Sequence, residues 1–232
     1  MPSDLSIVNS AELLPRIVEK IKGPIALAFS YQAEDVAALH LLLQCGIKDL
    51  EVFTLDTLKL FPETFSYHEE LEDFFHITIK KYAPDPKDVK ELEIKLGDEW
   101  GMRASLENRH LCCQVRKVTP LGKILAGKSA WVTGLRSSQS VTRQDLKVLE
   151  YDEKFGLIKI NPLADWSEED LSAYIKEHGL PLNPLYAKGF TSIGCAPCTR
   201  AVQPGEDIRA GRWWWENPEH KECGLHLRKN GL

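Results

Sequence analysis

Ile25-Ala-Leu-Ala-Phe29, followed at once by Ser30-Tyr-Gln-Ala-Glu-Asp35, is the stretch from which the fold can be read. The apolar run is too short for a helix and is bounded by Pro24, so it reads as a buried strand. Beyond it the pattern turns helical over residues 34–44. The same alternation repeats outward. Glu51-Val-Phe-Thr-Leu55 and His76-Ile-Thr-Ile-Lys80 read as strands, separated by a helix over 62–74 that has Pro62 in its first turn. Ala130-Trp-Val-Thr133 and Leu157-Ile-Lys-Ile160 continue the strands, and Ser167-Glu-Glu-Asp170 opens a further helix with a capping signal. Strand–helix–strand alternation predicts an α/β fold with a doubly wound, mainly parallel sheet. After Gly179 the regularity stops, and prolines at 181, 184, 197, 204 and 218 mark an irregular C-terminal tail.

With 232 residues, 43% hydrophobic and 27% charged, the chain has the size and composition to bury a full core. The net charge of −5 argues against a general nucleic-acid binder. That charge is uneven: residues 1–100 carry 10 Lys/Arg against 19 Asp/Glu, the remainder 19 against 15. Met1 to Ser10 lacks the pattern of a secretory leader and no segment is apolar for long enough to span a bilayer. The expectation is a cytoplasmic protein without membrane partners. Disulfides are rare in that compartment, so paired cysteines there favour metal or redox chemistry.

Ligands of open parallel sheets bind beyond the carboxyl ends of the strands. Ser30 falls in the first such loop, where it can cap the following helix, whose N-terminus suits an oxyanion. No Walker loop occurs anywhere. Asp56 and Thr57 follow the second strand; Asp56 can accept from a ribose hydroxyl or close an Asx-turn on its own backbone. Thr133-Gly-Leu-Arg-Ser-Ser-Gln-Ser-Val-Thr-Arg143 then offers Arg136 and Arg143 as forks matched to phosphate or sulfate oxygens. Isolated surface arginines are usually only solvated; two on one loop beside Gly134 tilt the reading to an oxyanion clamp.

The cysteines fall into Cys112-Cys113, Cys195-Ala-Pro-Cys198 and a lone Cys223, with Cys45 inside an apolar run as a small hydrophobe. Two distant pairs supply four thiolates, the count for an iron–sulfur cluster or a structural zinc. Adjacent cysteines diverge, an awkward bite on one tetrahedral ion but suited to a larger cluster. A vicinal disulfide beside an unrelated Cys-x-x-Cys is a further alternative. Lys117, Arg116 and Arg200 lie near these cysteines in sequence and can offset their charge. Cys223 has His220, Lys221, His226 and Arg228 around it, groups that favour thiolate. Arg209 and Arg212 make a second anion clamp if the tail folds over a nucleotide. Trp213-Trp-Trp215 reads more readily as packing than as a base-stacking platform.

Taken together, Leu55-Asp-Thr, Phe61-Pro-Glu-Thr, Cys112-Cys113 with Arg116-Lys117, Thr133-Gly-Leu-Arg136, Gly194-Cys-Ala-Pro-Cys198, Arg209-Ala-Gly-Arg-Trp-Trp-Trp-Glu216 and Glu222-Cys-Gly-Leu-His226 strongly resemble the iron–sulfur adenylyl-sulfate (APS) reductases. The resemblance runs from Phe29 to His226. It implies a fold of the adenine-nucleotide α-hydrolase type. It also implies one 4Fe–4S cluster on Cys112, Cys113, Cys195 and Cys198, and thioredoxin-dependent reduction of adenylyl sulfate to sulfite and AMP within sulfate assimilation and cysteine biosynthesis. Cys223 is then the nucleophile that carries an S-sulfocysteine intermediate. Ser30, Asp56, Thr57, Lys117, Arg136, Arg143, Arg209 and Arg212 are the substrate-binding candidates. Residues 1–200 form the nucleotide- and cluster-binding domain and 201–232 the tail bearing the catalytic cysteine, in a possible homo-oligomer. One departure stands out: the family's Leu-Asp-Thr-Gly has Leu58 at the glycine position, which is strained if φ is positive there. The rival readings are a cluster-bearing reductase of 3′-phosphoadenylyl sulfate (PAPS) or of both nucleotides, a tRNA thiolase, and a non-enzymatic zinc or iron–sulfur protein. The thiolase should carry Ser-Gly-Gly-x-x-Asp-Ser after the first strand, which Ser30-Tyr-Gln-Ala-Glu-Asp35 does not match.

Overall fold

The computed structural model describes residues 10–97, 100–140, 143–217, 220–223 and 225. Its strands are β1 Ile25–Ala28, β2 Leu50–Leu55, β3 Lys80–Tyr82, β4 Ala130–Val132, β5 Leu149–Asp152 and β6 Leu157–Ile160. They form one six-stranded sheet in the order β3-β2-β1-β4-β6-β5, parallel throughout except for β5. The helices are α1 Ser10–Lys20, α2 Ala33–Gln44, α3 Pro62–Phe75, α4 Pro86–Leu96, α5 Leu106–Cys113, α6 Thr119–Leu125 and α7 Glu168–Glu177.

Period-two alternation sorts the sheet residues onto two faces. Ile25 and Leu27 join Leu14, Val36, Leu39, Tyr67, Leu71 and Leu171 in one core, built with α1, α2, α3 and α7. Ala26, Phe53, Trp131 and Leu157 face the other way and pack on Leu121, Ile124 and Leu125 of α6. Helices thus cover both faces, and the doubly wound α/β expectation holds. Among the described residues no helix is long and apolar enough to cross a membrane.

Two local expectations are corrected. The strand foreseen at 76–80 begins only at Lys80. His76 closes α3 in the left-handed region (φ 53°), and the Ile77 and Ile79 N–H groups then donate back to the Glu72 carbonyl and carboxylate. Strand β5 was not foreseen: it is a four-residue edge strand whose Leu149 and Tyr151 are exposed, and its Leu-Glu-Tyr-Asp alternation is too short a run to mark a strand by itself.

Candidate functional site

The strand order reverses between β1 and β4, and a cavity of about 130 Å³ opens at the carboxyl ends of these strands. Asp35 fixes its rim. The carboxylate accepts from the Ser30 N–H at 2.6 Å, the Ser30 hydroxyl at 2.5 Å and the Gly134 N–H at 3.2 Å, tying the β1 and β4 loops together. Burial raises this carboxyl to about 6 against the lowering pull of those donors. Gly134 has to be glycine, because a Cβ there would lie 2.5 Å from Asp35 Oδ1 and 2.9 Å from its backbone nitrogen. Ser30 therefore serves Asp35 and does not cap α2. Gln32 holds the N-cap position without a side-chain capping bond, its amide oxygen instead accepting from the Ile193 N–H, and the Ala33 N–H donates to the Tyr186 hydroxyl instead of standing open for an oxyanion.

A second cavity, of about 250 Å³, is lined by Cys112, Cys113, Cys195 and Cys198. Helix α5 carries the first pair and runs without a break through a π-helical turn, Gln114–Val118, into α6. Pro120 in the first turn of α6 has no N–H to donate, which breaks the i→i−4 ladder and accounts for the wider turn. The turn brings Arg116 and Lys117 to the cavity. Arg116 donates to the Thr57 carbonyl and to Glu93, both at 2.9 Å, while the Ala196 N–H donates to the Lys59 carbonyl, so the β2 loop clamps the second cysteine pair. Arg103 secures the same segment by donating to the Pro197 carbonyl while stacked on Trp100, Trp214 and Trp215.

The donor set suits a large thiolate-ligated group. All six cysteines are free thiols. Burial pushes Cys198 up to about 12 and raises Cys112, with Cys195 adding to both as a neighbouring thiol. Among the described residues no three His, Cys, Asp or Glu side chains gather closely enough to hold a single metal ion. The four thiols instead surround a volume, together with the cations Lys59, Arg109, Arg116, Lys117 and Arg212. Arg212 Nε and Trp213 Nε1, both buried, have no hydrogen-bond partner among the described residues and belong to side chains lining this wall. Gly194 leaves room for the Arg212 guanidinium, which a Cβ would meet at 2.4 Å.

Lys117, Cys195, Arg212 and Trp213 line both cavities, so the cysteine-lined cavity and the one at the sheet's switch point share a wall. Cys223, buried, sits at that junction with Sγ 3.9 Å from Lys117 Nζ. A hydrogen bond from Cys113 holds its thiol well below the ordinary range, assisted by the charges of Lys117 and Arg212 against the opposing effect of burial. Burial works against the Lys117 ammonium, but Cys195, Cys223 and Cys113 outweigh it and raise its affinity for the proton. Arg109, fully buried, anchors the segment. It grips Glu216 through two bonds at 2.9 and 2.8 Å and donates to the His220 and Glu222 carbonyls, each at 2.8 Å.

Of the eight substrate-binding candidates, Ser30, Thr57, Lys117, Arg143, Arg209 and Arg212 line the cavity at the carboxyl ends of the strands. The other two do not. Asp56 closes an Asx-turn onto the Leu58 N–H at 2.9 Å. Arg136 is buried against Glu34 (2.9 Å) and Glu168, which consumes its fork. Thr57 faces sulfur as well as the cavity, its hydroxyl 3.2 Å from Cys195 Sγ. Arg200 pairs with Glu206 and lines neither cavity. Leu58 does adopt a left-handed backbone (φ 59°) with its side chain half exposed. Cys45 is half-buried rather than fully enclosed. Pro218, His226 and Arg228, named above for the tail, lie outside the described residues. Sequence reading gave no role to Asp35, Arg109, Glu216 and Glu222, which act through other residues, although Glu216 and Glu222 stand within stretches that carry the resemblance.

The phosphoadenosine phosphosulfate reductase domain model matches residues 24–201. The chain belongs to that family. It is 48% identical over 218 residues to the adenosine 5′-phosphosulfate reductase of Allochromatium vinosum, covering 94% of this chain and 84% of the relative. It is 42% identical over 228 residues to that of Neisseria meningitidis, covering 97% and 93%. These relatives are oxidoreductases acting on sulfur. Among solved structures, phosphoadenylyl-sulfate reductase from Candida auris in a phosphate complex superposes with a TM-score of 0.68 at 27% identity, over 86% of this chain and 93% of that one. Yeast FAD synthetase shares the fold alone, with a TM-score of 0.55 at 16% identity over 87% and 70%.

Proposed function

We propose that this reductase-family chain reduces adenylyl sulfate to sulfite and AMP through an S-sulfocysteine on Cys223, with thioredoxin as reductant. The observation that carries the reading is the junction itself: a buried thiol, 3.9 Å from an ammonium, beside three arginines that line a cavity at the sheet's switch point. Cys223 Sγ attacks the sulfur of the substrate. An S–S bond forms, the S–O bond to phosphate breaks, and AMP leaves with the bonding pair. The leaving group is an anion, so it needs fixed positive charge rather than a proton, and Arg143, Arg209, Arg212 and Lys117 supply it. Two thioredoxin thiols then release sulfite, leaving Cys223 reduced and thioredoxin oxidised. Residues 201–232 act as the segment presenting that cysteine.

Cys112, Cys113, Cys195 and Cys198 would hold a 4Fe–4S cluster, and the cations lining their cavity favour such an anionic group. When bound, it supplies a fixed, polarising charge beside the substrate. With Cys113 engaged as a ligand its hydrogen bond to Cys223 is lost; Lys117 and Arg212 remain to favour the Cys223 thiolate. Relatives named for adenosine 5′-phosphosulfate at 42% and 48% identity, against a PAPS reductase at 27%, favour the nucleotide without a 3′-phosphate. The test is sulfite release by the iron-loaded protein with reduced thioredoxin, given APS or PAPS. Sulfite from APS, with little from PAPS, is expected; sulfite from PAPS alone would reverse the substrate assignment, and none from either would refute the activity.

A further inference from the structure

Arg143 and Arg209, offered above to the substrate's oxyanion, are already bound to a carboxylate. Arg143 grips Glu222 through Nε and Nη2, both at 2.8 Å, and Arg209 stands 3.8 Å from the same Glu222 Oε1. All three side chains are buried and line the nucleotide cavity. The same oxygen also accepts the Cys223 N–H at 2.9 Å, and Arg209 donates to the Lys221 carbonyl at 3.0 Å. A fork gripping two oxygens of a planar carboxylate is the geometry that also grips two oxygens of a phosphate or sulfate.

The charges do not balance around this carboxylate. Arg209 is pushed down to about 10, first by burial and then by the nearby Arg143, with Arg212 adding to the effect. Two guanidiniums thus share the one carboxylate of Glu222, with the charge of Arg212 acting on Arg209 as well, and buried like charges kept together at a cost favour an additional or stronger anion.

We infer that Glu222 is a resident stand-in for the substrate's oxyanion, occupying the Arg143–Arg209 clamp until a nucleotide phosphate or sulfate displaces it. The inference rests on the sulfonucleotide reading above. Because Glu222 also holds the Cys223 amide, the exchange couples substrate arrival to release of the cysteine from its buried resting position. The resting state keeps the thiol enclosed, and the anion that Cys223 is to react with is what frees it. Glu222 is a positioning residue in this scheme and touches no reacting atom.

The test compares the cluster-loaded wild type with Glu222→Gln and Glu222→Ala, using AMP as the probe and adenosine as the uncharged control. Two quantities are read: AMP affinity by calorimetry, and the rate at which iodoacetamide labels Cys223, followed on its peptide by mass spectrometry. In the wild type AMP should speed labelling of Cys223 while adenosine does not. Both variants should bind AMP about tenfold more tightly or better, since no competing carboxylate has to leave. Their labelling should start fast and ignore AMP. If AMP binds the wild type and both variants equally, or protects Cys223, the exchange is wrong while the nucleotide site stands. If AMP binds none of them, the nucleotide reading falls and the inference with it.

Discussion

Arg109→Met removes the charge that holds the cysteine-bearing segment while keeping a side chain of similar length. Arg109 is fully buried, and its partner Glu216 has a side chain only 8% exposed. Removing one partner of such a pair typically costs about 3–5 kcal/mol, because the other charge is left desolvated. Two carbonyl acceptors, at His220 and Glu222, also lose their donor. Glu216 has a way out. It follows Trp213 in an irregular segment tied to the body by few backbone bonds, among them Trp213 N–H to the Cys198 carbonyl at 3.2 Å. The segment can therefore lift into water while the sheet stays folded, so the cost appears as local opening. At about 1.4 kcal/mol per decade, the open population rises by roughly two to three and a half decades. Hydrogen exchange read by mass spectrometry should show this rise in peptides covering Trp213 to Cys223, with β1 and β4 protected as before. Turnover should fall with the loss of the ordered segment. A lowered melting temperature with tail exchange within about threefold of wild type would refute the reasoning, because Arg109 would then be an ordinary core residue.

Other substitutions probe the loops. Leu58→Gly should stabilise the protein: a left-handed non-glycine residue costs about 1–2 kcal/mol, and glycine returns roughly 0.5–1 kcal/mol of that as chain entropy. With the side chain half exposed, the melting temperature should rise by about 2 °C, and a fall would mean that Leu58 makes contacts that matter. Asp35 has a raised folded pKa of about 6, so the folded state keeps a proton that the unfolded chain has released between pH 4 and 6. Its contribution is therefore most favourable below the unfolded value and is lost as pH rises through about 6, by up to roughly 3 kcal/mol. Melting temperatures of Asp35→Asn should accordingly gain on wild type from pH 4.5 to 6.5 and run parallel above 7; a pH-independent difference contradicts the assignment. Gly134→Ala should weaken AMP binding at least tenfold, since its Cβ would fall 2.5 Å from the Asp35 carboxylate; unchanged binding would mean that the two loops move independently.

The central strands were legible because burial on both faces writes them as unbroken apolar runs: Ile25 to Ala28 and Ala130 to Val132 are nearly all solvent-free. Ile77 and Ile79 mislead for the same reason, being apolar and packed on the core from a loop rather than a strand. At the site, residue types with a narrow chemical use were readable. Four cysteines and Lys117, Arg143, Arg209 and Arg212 come together from four separate stretches. Arginine was readable as a type but not in its assignment: Arg136 spends its fork on Glu34 and Glu168, partners 102 and 32 residues away. Glu222 and Glu216 look like solvated surface acids in sequence, and only the approach of Arg143 and Arg109 gives them a role. The positive φ of Leu58 was foreseeable only because a glycine is expected there; Tyr31 and Trp213 share that conformation beside the cavity with no such cue.

The central claim is that Cys223 accepts the sulfo group. It is tested most directly by intact-mass analysis of the iron-loaded protein after addition of adenylyl sulfate without any thiol reductant. The account predicts a mass gain of one SO₃ per chain, mapped to Cys223, absent in Cys223→Ser and removed by reduced thioredoxin with release of sulfite. An unmodified Cys223, or an adduct on any other cysteine, would contradict it.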